Sequence, residues 1–394
     1  MIERTVAKHI LEMSGKFPVV TVTGPRQSGK TTLVKSLFKE YKYYNLENPE
    51  TLAFAKNDPN RFLKNCYEGC IIDEAQNFPE IFSYIQVITD ENKRQGQFIV
   101  TGSSQFKLMS SISQSLAGRT ALVKLLPLSV VELRNSAIIK DTDDTLFSGF
   151  YPRIYDKEIY PTEVYGGYFE TYVEKDIRQF GQIQNLMLFR KFVKLCAGRT
   201  GSVLNLSSIA NDTGISHTTA QSWLSMLQAG FIVFLMEPFF ANINKRLIKS
   251  PKIYFYDVGF ASFLMGIENK KQIETHPLRG NLFENMVVME ILKYRFNRGK
   301  LENINFYRDS NGNEVDVLYK IAQHVLPVEI KSGETITRDY FKGLNNFDNV
   351  IDEFPYGKAL IYAGKEERVQ NGIEILNYSN IERFFEKQVG AERL

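Results

Sequence analysis

The stretch Gly24-Pro25-Arg26-Gln27-Ser28-Gly29-Lys30-Thr31 fits the spacing G-x-x-x-x-G-K-[ST], and each fixed position has a chemical task. Two glycines let backbone N–H groups curl around phosphate oxygens. Lys30 reaches the outer phosphates, and Thr31 offers a hydroxyl to magnesium at the positive end of a following helix. The loop residues Pro25, Arg26, Gln27 and Ser28, with Thr32 behind them, count as binding residues with the four fixed positions. A second apolar run, Cys70-Ile71-Ile72, ends in Asp73-Glu74. Asp73 suits outer-sphere magnesium ligation, while Glu74 is placed to orient or deprotonate an attacking water. A third run, Gln97 to Val100, ends in Thr101-Gly102-Ser103-Ser104, where Thr101 or Ser103 would sense a γ-phosphate. Together these residues point to binding of Mg2+ with a nucleoside triphosphate and to its hydrolysis.

Such residues need a buried parallel sheet to hold them. Phe17 to Thr23 is apolar and β-branched and runs directly into the glycine loop, and Leu33, Leu37 and Phe38 have helical spacing behind it, so the order is strand, loop, helix. Two rival phosphate-loop classes lack their own marks. A guanine reader Asn-Lys-x-Asp is absent, because Asn92-Lys93-Arg94-Gln95 has no aspartate. The run Asp73-Glu74-Ala75-Gln76 resembles a helicase box, yet no second block with paired arginines follows. The nucleotide expected is therefore ATP.

The set G-P-R-Q-x-G-K-T, D-E-x-Q and T-G-S-S resembles a prokaryotic group of AAA-type ATPases, as do Ser115-Leu116-Ala117-Gly118-Arg119, Leu126-Pro127-Leu128-Ser129 and Glu132. The resemblance implies a three-layer α/β core over residues 1–135. It also implies a homo-oligomer in which Arg119 completes a neighbour's site as a trans arginine finger.

From Tyr165 the pattern turns helical, with Tyr168, Phe169, Tyr172 and Val173 on one face and Glu170, Glu174, Lys175 and Asp176 on the other, so residues 136–200 read as a helical lid or connector. Residues 201–250 read as a winged helix-turn-helix. Leu206 to Ala210 starts the first helix, Thr213-Gly214-Ile215 makes the turn, Ser216 caps the second helix, and Phe231 to Leu235 forms a wing. The exposed positions of the second helix, His217, Thr218, Gln221, Ser222, Ser225 and Gln228, include no Lys or Arg, and Trp223 belongs to its packing face. Cations for a phosphate backbone come later, at Lys245, Arg246, Lys249 and Lys252.

Residues 251–394 contain a helix with Glu284, a strand with Glu314-Val315-Asp316 and, after a turn at Gln323 and His324, a strand with Glu329-Ile330-Lys331. Strand alternation puts Glu329 and Lys331 on one face and Ile330 on the other. This set matches a PD-(D/E)XK phosphodiesterase: Asp316 and Glu329 would bind magnesium, Glu284 would complete the metal site, and Lys331 would activate water. The same ATPase group carries a C-terminal domain of this fold, which Arg279-Gly280-Asn281-Leu282-Phe283-Glu284-Asn285 also resembles. The basic run Lys293, Arg295, Arg298 and Lys300 would hold nucleic acid beside it, DNA rather than RNA.

Composition bounds these readings. With 394 residues, 43% hydrophobic and 24% charged, the chain is long enough for several folded domains, and a formal charge of +3 confines any nucleic-acid surface to a local patch. Cys66, Cys70 and Cys196 are too few for a disulfide framework and have no zinc spacing, which fits a reducing compartment. The first residues lack the apolar core of a signal peptide, and no apolar run approaches the roughly 20 residues that span a bilayer. A cytoplasmic protein without membrane association is expected.

Overall fold

The fold is taken from a computed structural model, which describes residues 2–92, 94–102, 115–138, 140–173, 183, 185–239, 249–322, 324–348, 350 and 356–390. Ser103, Ser104, Lys93, Glu174, Lys175, Asp176, Lys245, Arg246 and Gln323 lie outside the described residues.

The first unit is a five-stranded parallel sheet of β1 (Val19–Thr23), β2 (Lys42–Asn45), β3 (Cys70–Asp73), β4 (Phe98–Gly102) and β5 (Thr120–Lys124), in the order β2-β3-β4-β1-β5. Its strands are apolar on both sides because helices cover both faces. Val19, Cys70, Ile72 and Phe98 pack with Phe62 and Phe82 from helices on one side, while Val20, Val22, Ile71 and Ile99 pack with Ile10, Leu33 and Val34 on the other. The result is the three-layer α/β core read from the sequence. The phosphate-loop strand β1 lies between β4 and β5, one strand in from the β5 edge of the sheet.

Helices then follow between Val130 and Val173 and again over Leu186–Ala197. The helix Pro161–Tyr168 continues as a π-helical turn, Phe169–Val173, which buries Tyr168, Phe169 and Tyr172. The helices Leu206–Thr213 and His217–Ala229 follow, the second capped where expected: the Ser216 hydroxyl accepts from Thr219 N at 3.1 Å. Trp223 stands edge-on to Phe189 and Phe192, with centroids at 5.3 and 5.5 Å, and is core. A small antiparallel sheet, order β6-β8-β7, joins β6 (Ser202–Val203), β7 (Val233–Met236) and β8 (Lys252–Phe255). The expected division between residues 250 and 251 therefore needs correction, because β8 bonds to both strands that precede it.

The last unit is a six-stranded mixed sheet, order β13-β14-β12-β11-β10-β9, made of β9 (Ile304–Arg308), β10 (Glu314–Ile321), β11 (His324–Lys331), β12 (Lys358–Tyr362), β13 (Arg368–Gln370) and β14 (Ile373–Asn377). The helix Arg279–Phe296 covers one face, and Leu344 and Phe347 of a short helix cover the other. One hydrophobic core runs from Leu126 to Phe385, so the helical middle and this sheet share an interior. Among the described residues no helix is long and apolar enough to cross a membrane.

Candidate functional site

The glycine loop is shaped by close backbone packing. Gly24 has φ +149°, and a Cβ there would stand 2.1 Å from the Leu125 carbonyl oxygen, so no other residue fits. Gly29 has φ +94° and opens the helix Lys30–Leu37. Lys30 is only 5% exposed, and its ammonium donates to the carbonyls of Gly24 at 3.0 Å and Pro25 at 2.8 Å. Burial lowers its pKa to about 8, partly offset by Glu74 and Asp73. The Ser28 hydroxyl is buried without a hydrogen-bond partner among the described residues. A cation resting on carbonyls, an unpaired hydroxyl and a loop with no room for a Cβ suit a bound phosphate chain.

Asp73 closes the opposite wall. Thr31 Oγ1 donates to its Oδ2 at 2.9 Å and Tyr43 Oη to the same oxygen at 2.7 Å, while Thr101 Oγ1 donates to Oδ1. Thr31 and Asp73 thus share the position expected for magnesium. The Thr101 hydroxyl is engaged by Asp73 and helps to orient that carboxylate. Ser103, the other sensing choice, lies outside the described residues. Glu74 follows Asp73 with φ +54°, accepts a hydrogen bond from Gln76 and faces the cleft.

The cleft above the loop has a volume of about 1030 Å³, enough for a nucleotide. Gly29, Lys30, Thr31, Thr32 and Glu74 line it, with Arg26 and Gln27 at its mouth. Arg26 lies 5.4 Å from the centroid of Tyr172 and 3.8 Å from Glu47. Tyr172 in turn donates to the Gly230 carbonyl at 2.9 Å, which ties the cleft to the end of the His217–Ala229 helix.

Several contributors escaped the sequence reading. Arg153 of the short helix Pro152–Asp156 and Tyr172 close the cleft from the helical middle. Arg4 is buried behind the loop, donating to Ser28 O at 2.8 Å, Leu126 O at 2.6 Å and Glu132 Oε2 at 3.1 Å. An arginine ahead of an apolar helical stripe gave no local sign of that contact.

Arg119 is not near the cleft of its own chain. Thr120 pairs with Val19, the first residue of β1, whereas the phosphate loop leaves after Thr23, so Arg119 sits at the far end of the sheet. There it pairs with Asp90 at 2.6 and 2.9 Å.

In the last unit Glu284, Asp316, Glu329 and Lys331 do converge, but with a fifth group between them. Lys252 of β8, 1% exposed, lies 2.8 Å from Glu284 Oε1, 2.5 Å from Glu314 Oε1 and 3.8 Å from Asp316 Oδ1. Tyr254, two residues on, donates to Glu284 at 2.6 Å. Lys331 lies 2.5 Å from Glu329 Oε1 and 3.8 Å from Asp316 Oδ2. Burial raises Glu284 to about 7 and Glu329 to about 8, though Lys252 and Lys331 pull them back. Burial would lower Lys252, but Glu284, Asp316 and Glu314 hold its pKa well above the ordinary value. An ammonium stands where the magnesium of the sequence reading would go, and no group of three metal-ligating side chains is assembled among the described residues. These residues do not fit a metal as they stand.

The expected phosphate-binding cations also need correction. Lys293 is buried on Glu290 and the Leu128 carbonyl, both at 2.7 Å, and Arg298 is held by Glu382 at 2.7 Å. Arg295 is buried on the Leu301 and Lys320 carbonyls. Lys252 is committed to carboxylates.

Residues 16–134 match the family described as AAA domain, residues 139–271 a domain of unknown function (DUF8612) and residues 279–381 another (DUF4143). The gap between the last two falls after β8, in keeping with the sheet that β8 completes. An uncharacterized protein of Mycobacterium tuberculosis is 29% identical over 337 residues, spanning 84% of this chain and 74% of its own. Another, of Methanocaldococcus jannaschii, is 23% identical over 333 residues, spanning 76% and 71%. Among solved structures, a Walker-type ATPase of Pyrococcus abyssi is similar at 15% identity and a TM-score of 0.46, covering 67% of this chain and 96% of that one. The span that matches the AAA domain family, residues 16–134, contains the glycine loop, Asp73 and Glu74.

Proposed function

We propose that this chain binds and hydrolyses ATP at the loop Gly24–Thr31 and uses the cycle to move its C-terminal half. The observation that carries the reading is the buried Lys30 ammonium, resting on two loop carbonyls beside the Thr31–Asp73 hydrogen bond. Bound Mg2+, held by Thr31 and Asp73, would neutralise phosphate charge. Lys30 exchanges its two carbonyls for phosphate oxygens, and the loop N–H groups hold the remaining charge. Tyr43 and Thr101 keep Asp73 in one orientation. Glu74 leaves Gln76 to orient the attacking water and accept its proton at a carboxylate oxygen.

In the first reading the moving half is a winged-helix and nuclease-like module that binds nucleic acid, DNA in preference to RNA. In the second it is a nucleotide-dependent switch whose nuclease-like domain is catalytically silent and holds a protein partner. The Lys252 ammonium among the carboxylates favours the second. Steady-state ATP hydrolysis with and without DNA or RNA, in magnesium, separates them. Turnover raised by DNA, with salt-sensitive binding, supports the first reading; turnover indifferent to any nucleic acid removes it.

A further inference from the structure

In a phosphate loop the lysine ammonium reaches the outermost phosphates, so Lys30 marks where they would lie. That ammonium rests on the carbonyls of Gly24 and Pro25. The next residue in the loop is Arg26, which therefore borders the same position. Gln27 follows with φ +61°, a left-handed conformation unusual for a residue with a Cβ, and Arg26 projects from the turn it makes. The charge of Arg26 is felt at Lys30: burial does most to lower the lysine pKa, Glu74 and Asp73 oppose it, and Arg26 lowers it further. Arg4, by contrast, is spent behind the loop on Ser28 O, Leu126 O and Glu132.

The Arg26 side chain lines the cleft and rests against Tyr172 and Glu47. Its guanidinium carbon lies 5.4 Å from the centre of the Tyr172 ring, within the roughly 6 Å over which an aromatic face attracts a cation. Glu47 is 3.8 Å away and exposed, a contact of the kind that contributes little in water. An aromatic face orients the planar guanidinium and leaves its charge intact for an anion entering the cleft. Tyr172 is itself held in place. Its ring is buried in the π-helical turn Phe169–Val173, and its hydroxyl donates to Gly230 O at 2.9 Å. Arg119, the arginine singled out by the sequence for work on the phosphates, is engaged by Asp90 at the other end of the sheet.

We propose that Arg26 is a catalytic arginine supplied in cis: its guanidinium contacts the γ-phosphate and stabilises the charge on its oxygens during hydrolysis, with Tyr172 as the positioning residue that holds it over the cleft. The inference rests on ATP being the nucleotide hydrolysed at this loop. In that step the water oxygen forms a bond to the γ-phosphorus and the bond from that phosphorus to the β–γ bridging oxygen breaks. The electron pair of the broken bond leaves with ADP, and a proton of the water goes to Glu74. Arg26 neither gives nor takes a proton; it lowers the energy of the charged transition state. Because Tyr172 belongs to the helical middle, that region takes part in the ATP site of its own chain.

The test is steady-state ATP hydrolysis in magnesium by the full chain, with ADP binding measured separately by calorimetry. Arg26→Ala and Arg26→Lys should each lower kcat by about a thousandfold or more, the scale of an arginine that stabilises a transferring phosphoryl group. ADP lacks the γ-phosphate, so its Kd should stay within about threefold of the wild-type value. Tyr172→Leu should lower kcat in the same direction by less, and Tyr172→Phe, which keeps the ring, should hold near the wild-type rate. Adding Tyr172→Leu to Arg26→Ala should cost nothing more, since the tyrosine acts through the arginine. Arg26 is partly exposed, so its variants should fold, and they decide the matter even where Tyr172→Leu does not. Turnover within about threefold of wild type in Arg26→Ala overturns the proposal. So does a fall in ADP affinity that matches the fall in kcat, or turnover lost in Arg119→Ala and kept in Arg26→Ala. A wild-type chain that does not hydrolyse ATP removes the nucleotide reading first, and this inference with it.

Discussion

Lys30 is the residue on which the nucleotide account turns, and its burial makes a measurable demand. In the free protein its pKa is lowered to about 8 because the ammonium is desolvated. Phosphate oxygens would favour the charged form and raise that value again. At pH values above the free-state pKa, a lysine that is partly neutral before binding and charged afterwards must take up a proton. Binding of ATP at about pH 8.5 should therefore consume protons, and affinity should fall as the pH climbs through and beyond about 8. Calorimetry in two buffers of different ionisation enthalpy measures this directly. In Lys30→Ala the uptake should vanish along with most of the affinity; uptake that persists in that variant would place the titrating group elsewhere.

At the scale of elements, the loop is braced by a segment far from it in sequence. Arg4 and Glu132 are 128 residues apart, both buried, and together tie the start of the chain and the helix Val130–Asn135 to the back of the loop. Glu132 also accepts from Thr5 N at 2.7 Å and from Ser129 N at 2.9 Å, the latter within a capping box, so the ion pair sits inside a connected network. Breaking it from one side leaves a buried carboxylate uncompensated. Arg4→Met should lower stability by about 3–5 kcal/mol in denaturant unfolding, far more than an exposed pair would cost. It should also weaken ATP binding, because Ser28 O loses its donor and the loop its brace. A loss below about 1 kcal/mol, the range of surface pairs, would show that the network does not hold the loop.

Across the whole molecule, what the sequence made legible was local. The loop, Asp73 and Glu74 are short runs whose roles follow from strand, turn and helix order, and the structure holds them as that order requires. Nothing local says that Tyr43, Thr31 and Thr101 converge on one carboxylate, Asp73, because the three sit on different elements. In the last unit strand alternation is enough to put Glu329 and Lys331 on one face, whereas nothing local shows that Lys252 is buried among carboxylates. Its contacts reach 32 residues to Glu284 and across two sheets, and only a lysine opening the apolar run Ile253-Tyr254-Phe255 hinted at burial. The division at residue 250 failed for the same reason: a strand that completes an earlier sheet looks, in sequence, like the start of the next unit.

The most direct test of the central claim is magnesium-dependent phosphate release from ATP by the full chain, set beside Glu74→Gln and Lys30→Ala. The account predicts turnover by the wild type, a loss of about a hundred- to ten-thousand-fold in Glu74→Gln with ATP still bound, and neither binding nor turnover in Lys30→Ala. Turnover at the wild-type rate in Glu74→Gln would contradict the assignment of the catalytic base, and ATP binding undiminished in Lys30→Ala would contradict the site itself.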